Sequence, residues 1–136
     1  MVSITSIGVS VPATSSGSLS RQILETPILL AEFGVSIPAS PNRVLLNATI
    51  GITATSITPT LLVNFRRGNQ IISSNRVTIQ TNIGEEEIIS LQTIDVNALL
   101  SSNQGYSITI QVEGSLLNAA VVSGPVNFSG VVYSLS

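Results

Sequence analysis

Five carboxylates are the residues of this sequence that could take part in acid–base chemistry: Glu85, Glu86, Glu87, Asp95 and Glu113. Two carboxyl groups that flank a sugar linkage can hydrolyse it, one as acid and the other as base or nucleophile. Carboxylate oxygens also bind Ca²⁺, although no loop has the ligand spacing of an EF-hand. Three adjacent Glu residues more often form a solvated patch that keeps a sheet edge soluble, and we favour that interpretation.

Other catalytic chemistry is limited by the residues that the chain lacks. Without His or Cys there is no Ser-His-Asp triad, thiol nucleophile or His–Cys metal site. An anion or a sugar could bind at Arg66, Arg67 and Gly68. Two adjacent Arg residues before a Gly, however, commonly lie at the tip of a hairpin without binding a ligand. Asn47 and Asn127 begin glycosylation-type triplets, which we discount in a Ser/Thr-rich chain without a secretory signal. The sequence therefore predicts no enzyme, no cofactor and no metal.

The composition limits the partners. Only 9% of the 136 residues are charged, against about 25% in an average soluble protein, and the net charge is -2. Nucleic-acid binding needs clustered Lys and Arg, so we expect none. No apolar run approaches 18 residues, so we expect no membrane span. The first residues lack the features of a signal peptide, which predicts synthesis in the cytoplasm without one. A chain with so little charge tends to associate.

Period-2 alternation is the dominant pattern and predicts strands. It is clear in three segments, which we expect to bury one side each. The inward residues would be Val44, Leu46, Ala48, Ile50 and Ile52, then Leu61, Val63 and Phe65, then Tyr106, Ile108, Ile110 and Val112. With Gly130 as an expected bulge, about eight strands follow residue 24. This predicts an all-β, jelly-roll-like antiparallel β-sandwich, with an Ig-like sandwich as the rival.

The first residues form an uncharged ribbon ahead of a Ser/Gly-rich stretch. Its apolar residues are Val2, Ile4, Ile7, Val9 and Val11, and their phase slips at Thr5–Ser6 as a bulge would require. We predict a connector strand over 1–12, a flexible linker over 13–24 and the sandwich over 25–136. The connector would add to a sheet of a neighbouring copy. Alternatively, the ribbon is the first strand of its own sandwich.

Four segments carry a resemblance to a known family: "ETPILLAEFGVSIPASPNRVLLNATIGI", "LLVNFRRGNQII", "EEIISLQTIDVN" and "AAVVSGPVNFSGVVYSLS". They resemble small jelly-roll proteins of the spore surface of Bacillus-type bacteria, in particular F-type endospore appendage fibre subunits. The resemblance covers residues 25–136. It implies a non-enzymatic, self-assembling fibre on the spore surface or exosporium, made in the mother cell. Its partners would be further copies of itself and other spore-surface or tip proteins.

Two alternatives to a fibre subunit stay open at this point. One is a binding module, such as a trimeric C1q/TNF-like head or a carbohydrate-binding jelly roll, which rests on the fold alone. Binding heads usually present aromatic or charged residues, whereas the few Tyr and Phe residues here are expected to point inward. The other is a protein of a phage or virion surface.

Overall fold

The computed structural model describes residues 2–114 and 119–135, which form nine β-strands. No helix in that part of the chain is long and apolar enough to cross a membrane. In chain order the strands are β1 (Val2–Ala13), β2 (Arg21–Gln22), β3 (Ile28–Ile37), β4 (Asn42–Ala54), β5 (Thr60–Arg67), β6 (Gln70–Thr78), β7 (Glu86–Val96), β8 (Ser101–Val112) and β9 (Ala120–Leu135).

The strands form two antiparallel sheets. The first sheet has the order β1-β9-β4-β7, with the short β2 also paired to β9, and the second has the order β3-β8-β5-β6. The chain crosses repeatedly from one sheet to the other, so strands that are distant in sequence become neighbours. Eight long strands arranged in this way make a double-sheet jelly roll. The predicted fold class is thus confirmed.

Side chains from both sheets meet in one core. All inward residues expected from the alternation of β4, β5 and β8 are buried, which confirms the assignment of their faces. Phe128 lies at the centre, with ring centroids 4.8 Å from Phe33 and 5.9 Å from Phe65. Tilted aromatic pairs at these distances attract each other in addition to the apolar area that they bury.

The eight long strands of the jelly roll are not the eight strands that the sequence predicted. Only seven strands of the described residues, β3 to β9, follow residue 24, and β1 completes the jelly roll. The expected count was too high because the last stretch reads as two strands separated by Gly124 and Pro125. In the structure both halves belong to the continuous β9, which carries a bulge at this point.

The prediction of a bulge at Gly130 was wrong, because the bulge of β9 lies at Gly124. The register of β9 against β4 shifts near Gly124, between the partners of Ile50 and Ile52, and Gly124 has a φ of 86°. Gly130 instead pairs in regular register, and a Cβ there would lie 2.6 Å from Cζ of Phe33. Gly130 thus serves the close packing of the Phe33 ring.

The expected linker over 13–24 is only partly free of contacts. The chain turns at residues 15–18, after which the Leu19 amide donates to the Ser123 carbonyl at 3.2 Å. β2 then pairs with β9, and the side chain of Ile23 is buried in the core. Because a Leu and an Ile interrupt the Ser-rich stretch, its second half can pack on the sandwich. Residues 14–18 form the turn that connects β1 to the remainder.

Candidate assembly site

β1 is an edge strand of its own sandwich. It pairs antiparallel with β9 of the same chain, from Val2 opposite Leu135 to Ala13 opposite Val126. The register shifts between Ile4 and Ser6, which confirms the slip expected there from the sequence. At this irregularity the hydroxyl of Thr5 donates to the Val132 carbonyl at 3.3 Å.

This placement differs from a connector that leaves its own domain. In the single chain β1 satisfies the main-chain groups along one side of β9, which would otherwise be the open edge of the first sheet. It also adjoins β3 of the second sheet, where the Ser36 amide donates to the Ser6 hydroxyl at 3.2 Å. β1 therefore closes one side of the sandwich.

The inward side of β1 carries small residues. A Cβ at Gly8 would lie 2.2 Å from Cδ1 of Phe33 and 2.7 Å from Cγ1 of Val35. These separations are below van der Waals contact, so the ring of Phe33 occupies the space that a side chain would need. Ser6 and Ser10 share this inward side, opposite Val132 and Phe128. The core beneath β1 is thus filled from β3 and β9.

The five predicted interface residues therefore face solvent. The exposed fractions of Val2, Ile4, Ile7, Val9 and Val11 lie between 48% and 63%. An edge strand normally keeps its apolar residues toward the core and its polar residues toward water. Here the order is reversed, because Ser and Gly face the core. The strand consequently presents an apolar outer side that the described part of the chain does not cover.

The turn that follows β1 is held by Glu86. Its carboxylate accepts a hydrogen bond from the Ser123 hydroxyl at 2.7 Å. Hydrogen bonds from Ser16, then from Ser123 and the Gly17 backbone, hold the pKa of Glu86 below its ordinary value of 4.5, although desolvation opposes them. The ionised side chain thus links residues 15–18, the start of β7 and the bulge of β9.

The other candidate carboxylates also have partners within the protein. Glu85 accepts from the Asn82 amide group at 3.2 Å, and Glu87 from the Gln80 backbone amide at 3.0 Å. Glu113 forms a two-pronged ion pair with Arg76, whose hydrogen bond lowers the carboxyl pKa. Among residues 2–114 and 119–135, no three carboxylates are grouped to hold a metal ion. These side chains serve local structure.

Asp95 belongs to a buried cluster that sequence reasoning missed. Arg67 Nη1 donates to both carboxylate oxygens at 2.6 and 2.8 Å, and the Tyr106 hydroxyl donates to Oδ2 at 2.7 Å. Burial, with the hydrogen bond and charge of Asp95, raises the pKa of Tyr106. Asp95 comes from the first sheet and the other two from the second, so the cluster joins the sheets. Its sequence signal is an Asp in phase with the inward residues Ile89 and Leu91.

The remaining candidates lie apart from one another. Arg66 is at the β5–β6 hairpin and donates to the Asn69 carbonyl at 3.1 Å, as expected of a hairpin tip. Asn47 and Asn127 are half-buried in the middle of strands β4 and β9. A shallow depression beside Glu32 and Asn69 lies on the second sheet. The Tyr106 ring beneath it is 1% exposed and so offers a sugar no stacking face.

Similarity to known proteins is confined to the fold. No protein-family model matches the sequence, and no curated protein matches it. Among solved structures, the infectious bursal disease virus VP2 subviral particle matches 98% of this chain at 11% identity and a TM-score of 0.52. A second structure of that virus, the Gt strain, matches at 10% identity and a TM-score of 0.50, again over 98% of this chain. Dimeric latent PorU from Porphyromonas gingivalis matches 96% at 9% identity and a TM-score of 0.53.

The chain spans only part of each of these proteins. It corresponds to 32% of the VP2 chain, 33% of the Gt-strain chain and 13% of PorU. At identities near 10% the likeness establishes the double-sheet architecture and nothing about activity.

Proposed function

We propose that this protein is a structural subunit that assembles with copies of itself through exchange of β1. The observation that carries the proposal is the apolar outer side of this edge strand. Its main chain pairs along one side of β9, and its outward Val and Ile side chains remain 48% to 63% exposed in the described chain. The low charge of the protein adds little repulsion against association.

Exchange of β1 keeps the contacts of the single chain. When β1 of one copy lies on β9 of the next, the same ladder and the same packing on Phe33 form between chains. Such swapping of an identical element is a low-cost route to assembly. Gly17, at a φ of 75°, lies in the connecting turn, and exchange of β1 requires this turn to open and to give up its hydrogen bonds with Glu86.

Repetition of this exchange in one direction gives a filament. Each copy donates β1 to the next and accepts β1 from the previous one, which is a head-to-tail contact that grows without limit unless it closes into a ring. The six residue steps from Ala13 to Leu19, across residues 14–18, span at most about 21 Å when extended. That reach is comparable to the width of a four-stranded sheet, about 19 Å, so a neighbour can be reached without unfolding the sandwich.

The resemblance of residues 25–136 to spore appendage subunits supports a fibre on the spore surface, with spore-surface or tip proteins as further partners. This part of the proposal rests on the sequence pattern alone. Immunogold labelling of sporulating cells that produce the chain tests it. Label on the spore surface would support the location, and label confined to the cell interior after spore release would overturn it.

An engineered disulfide between two chains distinguishes strand exchange from a contact between two intact sandwiches. Ser6 and Val132 are paired inward positions, and the native chain has no Cys. Ser6→Cys is introduced in one preparation and Val132→Cys in another, and the two are unfolded together, refolded and oxidised. A disulfide between the chains requires β1 of one copy to lie on β9 of the other, because Cα atoms must approach to within about 7 Å.

We expect fibres in electron micrographs and the mixed disulfide on non-reducing gels. In the matched control, the Ser6→Cys chain is mixed with an Ile89→Cys chain instead of the Val132→Cys chain. Ile89 is a buried residue of β7 that β1 does not reach, whether or not the strand is exchanged. Discrete monomers without the mixed disulfide would overturn the proposal. Closed particles that carry the disulfide would support strand exchange but would show that the assembly is a closed shell and not a fibre.

A further inference from the structure

An unbroken apolar row crosses the outer face of the first sheet. Ile7 on β1 pairs with Val131 on β9, Val131 pairs with Leu45 on β4, and Leu45 pairs with Ile94 on β7. Ile7 is 63% exposed and Ile94 is 57% exposed, whereas Val131 and Leu45 are half-buried by their neighbours. Four β-branched or Leu side chains thus line up across the full width of the sheet.

The adjacent row extends this surface. Ile4 pairs with Tyr133, Tyr133 with Arg43, and Arg43 with Val96. The Arg43 guanidinium donates to the Asn42 carbonyl at 2.9 Å and approaches the Asn97 side-chain oxygen at 3.4 Å. The two rows together are called the outer apolar patch. Tyr133 points outward here, contrary to the expectation that the aromatic residues all face the core.

The outer face of the second sheet is different. In its middle, Leu62 lies between Gln111 and Arg76, and Asn64 lies between Thr109 and Ser74. The ion pair of Arg76 with Glu113 covers one end of this face. The first sheet therefore carries at one end of its outer face a continuous apolar area that the middle of the second sheet's outer face lacks. Apolar patches of several hundred Å² on one face mark interaction sites.

We infer that the outer apolar patch is a docking surface for the first sheet of a second copy, packed face to face. This inference rests on the proposed self-assembling role and adds a second contact to it. The patch adjoins β1, which contributes Ile4 and Ile7 to it, so strand exchange and face packing would form one continuous interface. Two identical sheet faces related by a two-fold axis pack as in the interior of a sandwich, about 10 Å apart.

The size of the face suits a dimer. Four strands spaced about 4.8 Å apart cover a width of about 19 Å, and the 13 residues of β4 extend over about 44 Å. The face thus offers roughly 800 Å² per copy, which is the usual contribution of each partner to a stable interface. The patch forms the apolar end of this face, at the start of β4, and the rows with Asn47 and Thr49 continue the face with polar side chains, so the contact would combine apolar and polar parts.

The chemistry of the patch also favours a second copy over a charged partner. Arg43 is its one charged residue and is already engaged at the margin by backbone and amide oxygens. A nucleic acid, an acidic peptide or an anionic membrane would find no cationic cluster here. A flat, uncharged sheet face of the same shape complements it best.

The test isolates face packing from strand exchange. Ser6→Cys and Val132→Cys are placed in the same chain and oxidised, which locks β1 onto its own β9 so that exchange is impossible. Sedimentation velocity of this locked protein should show a monomer–dimer equilibrium. Adding Ile94→Glu should weaken dimerisation at least tenfold, because a carboxylate would lose its water in the interface. Leu62→Glu, the matched change on the polar face, should leave dimerisation unchanged.

A second measurement does not depend on any substitution in the patch. The chain has no Trp, and of its two Tyr residues Tyr106 is 1% exposed. Iodide therefore quenches mainly the fluorescence of Tyr133, and quenching of the locked protein should increase as dilution separates the dimers. A locked protein that is monomeric at all concentrations, or Leu62→Glu acting as strongly as Ile94→Glu, would overturn face packing. Failure of strand exchange would appear separately, as absence of the mixed disulfide.

Discussion

The buried cluster of Asp95, Arg67 and Tyr106 yields the sharpest prediction on stability. The side chain of Asp95 is 6% exposed and that of Arg67 is 24% exposed, and their shortest contact is 2.6 Å. Asp95→Ala would leave a buried hydroxyl and a partly buried guanidinium without their acceptor. Breaking a buried pair from one side typically costs 3–5 kcal/mol, so we expect a loss of about 3–5 kcal/mol in the free energy of unfolding.

The Asp95→Asn variant keeps the size and shape of the side chain at position 95 but removes its charge. The amide oxygen can still accept from Tyr106, but the ionic bonds to Arg67 are lost, so we expect a smaller loss of about 1.5–3 kcal/mol. Combining Asp95→Ala with Tyr106→Phe should cost less than the sum of the two single changes. The reason is that the second change removes the hydroxyl that the first leaves unsatisfied.

Urea unfolding followed by circular dichroism measures these losses. Glu113→Ala is the matched control, because it removes a carboxylate from an equally close but exposed ion pair with Arg76. Solvent screens such pairs, so the control should lose far less stability. An Asp95→Ala protein within about 1 kcal/mol of the native one would refute the reasoning, since a buried pair cannot lose one partner at so small a cost.

Two further predictions concern β1 and its turn. Gly8→Val should destabilise the protein by about 1–3 kcal/mol in urea unfolding, because its side chain would collide with Phe33, whereas Ser10→Thr, on the same side, adds one methyl group and should cost less. Equal losses for the two variants would contradict the packing beneath Gly8. The lowered pKa of Glu86 means that its stabilising effect is present above pH 4.5 and is lost as the pH falls through the folded-state pKa. The stability difference between the native protein and Glu86→Gln should therefore shrink on acidification, and a difference that stays constant from pH 6 to pH 3 would exclude this role.

The main strands of the sandwich could be predicted from the sequence because their inward residues alternate without interruption. Leu61, Val63 and Phe65 are an example: a strand with this period has one face that must leave water, and the burial follows. The slip at Thr5–Ser6 was readable for the same reason, since one extra residue reverses the parity of every later side chain.

The strands at the two chain ends were harder to predict. Gly124 and Pro125 read as a boundary, yet β9 continues through them because Gly51 on β4 leaves room: a Cβ there would lie 1.9 Å from the Gly124 carbonyl oxygen. That space is created by a residue more than 70 positions away in the sequence. The partners of Asp95 are 28 and 11 positions away and lie on strands of the other sheet, so only the folded sandwich brings them together.

An all-β sandwich with little charge and a leading strand of alternating apolar residues could be predicted from the sequence alone, because period and composition are local properties. Which side of β1 meets the core was decided only in the tertiary structure. The Phe33 ring, supplied by another strand, takes the space at Gly8, so the small residues turn inward and Ile4 and Ile7 turn outward. Competition for volume between distant residues cannot be read from either segment alone.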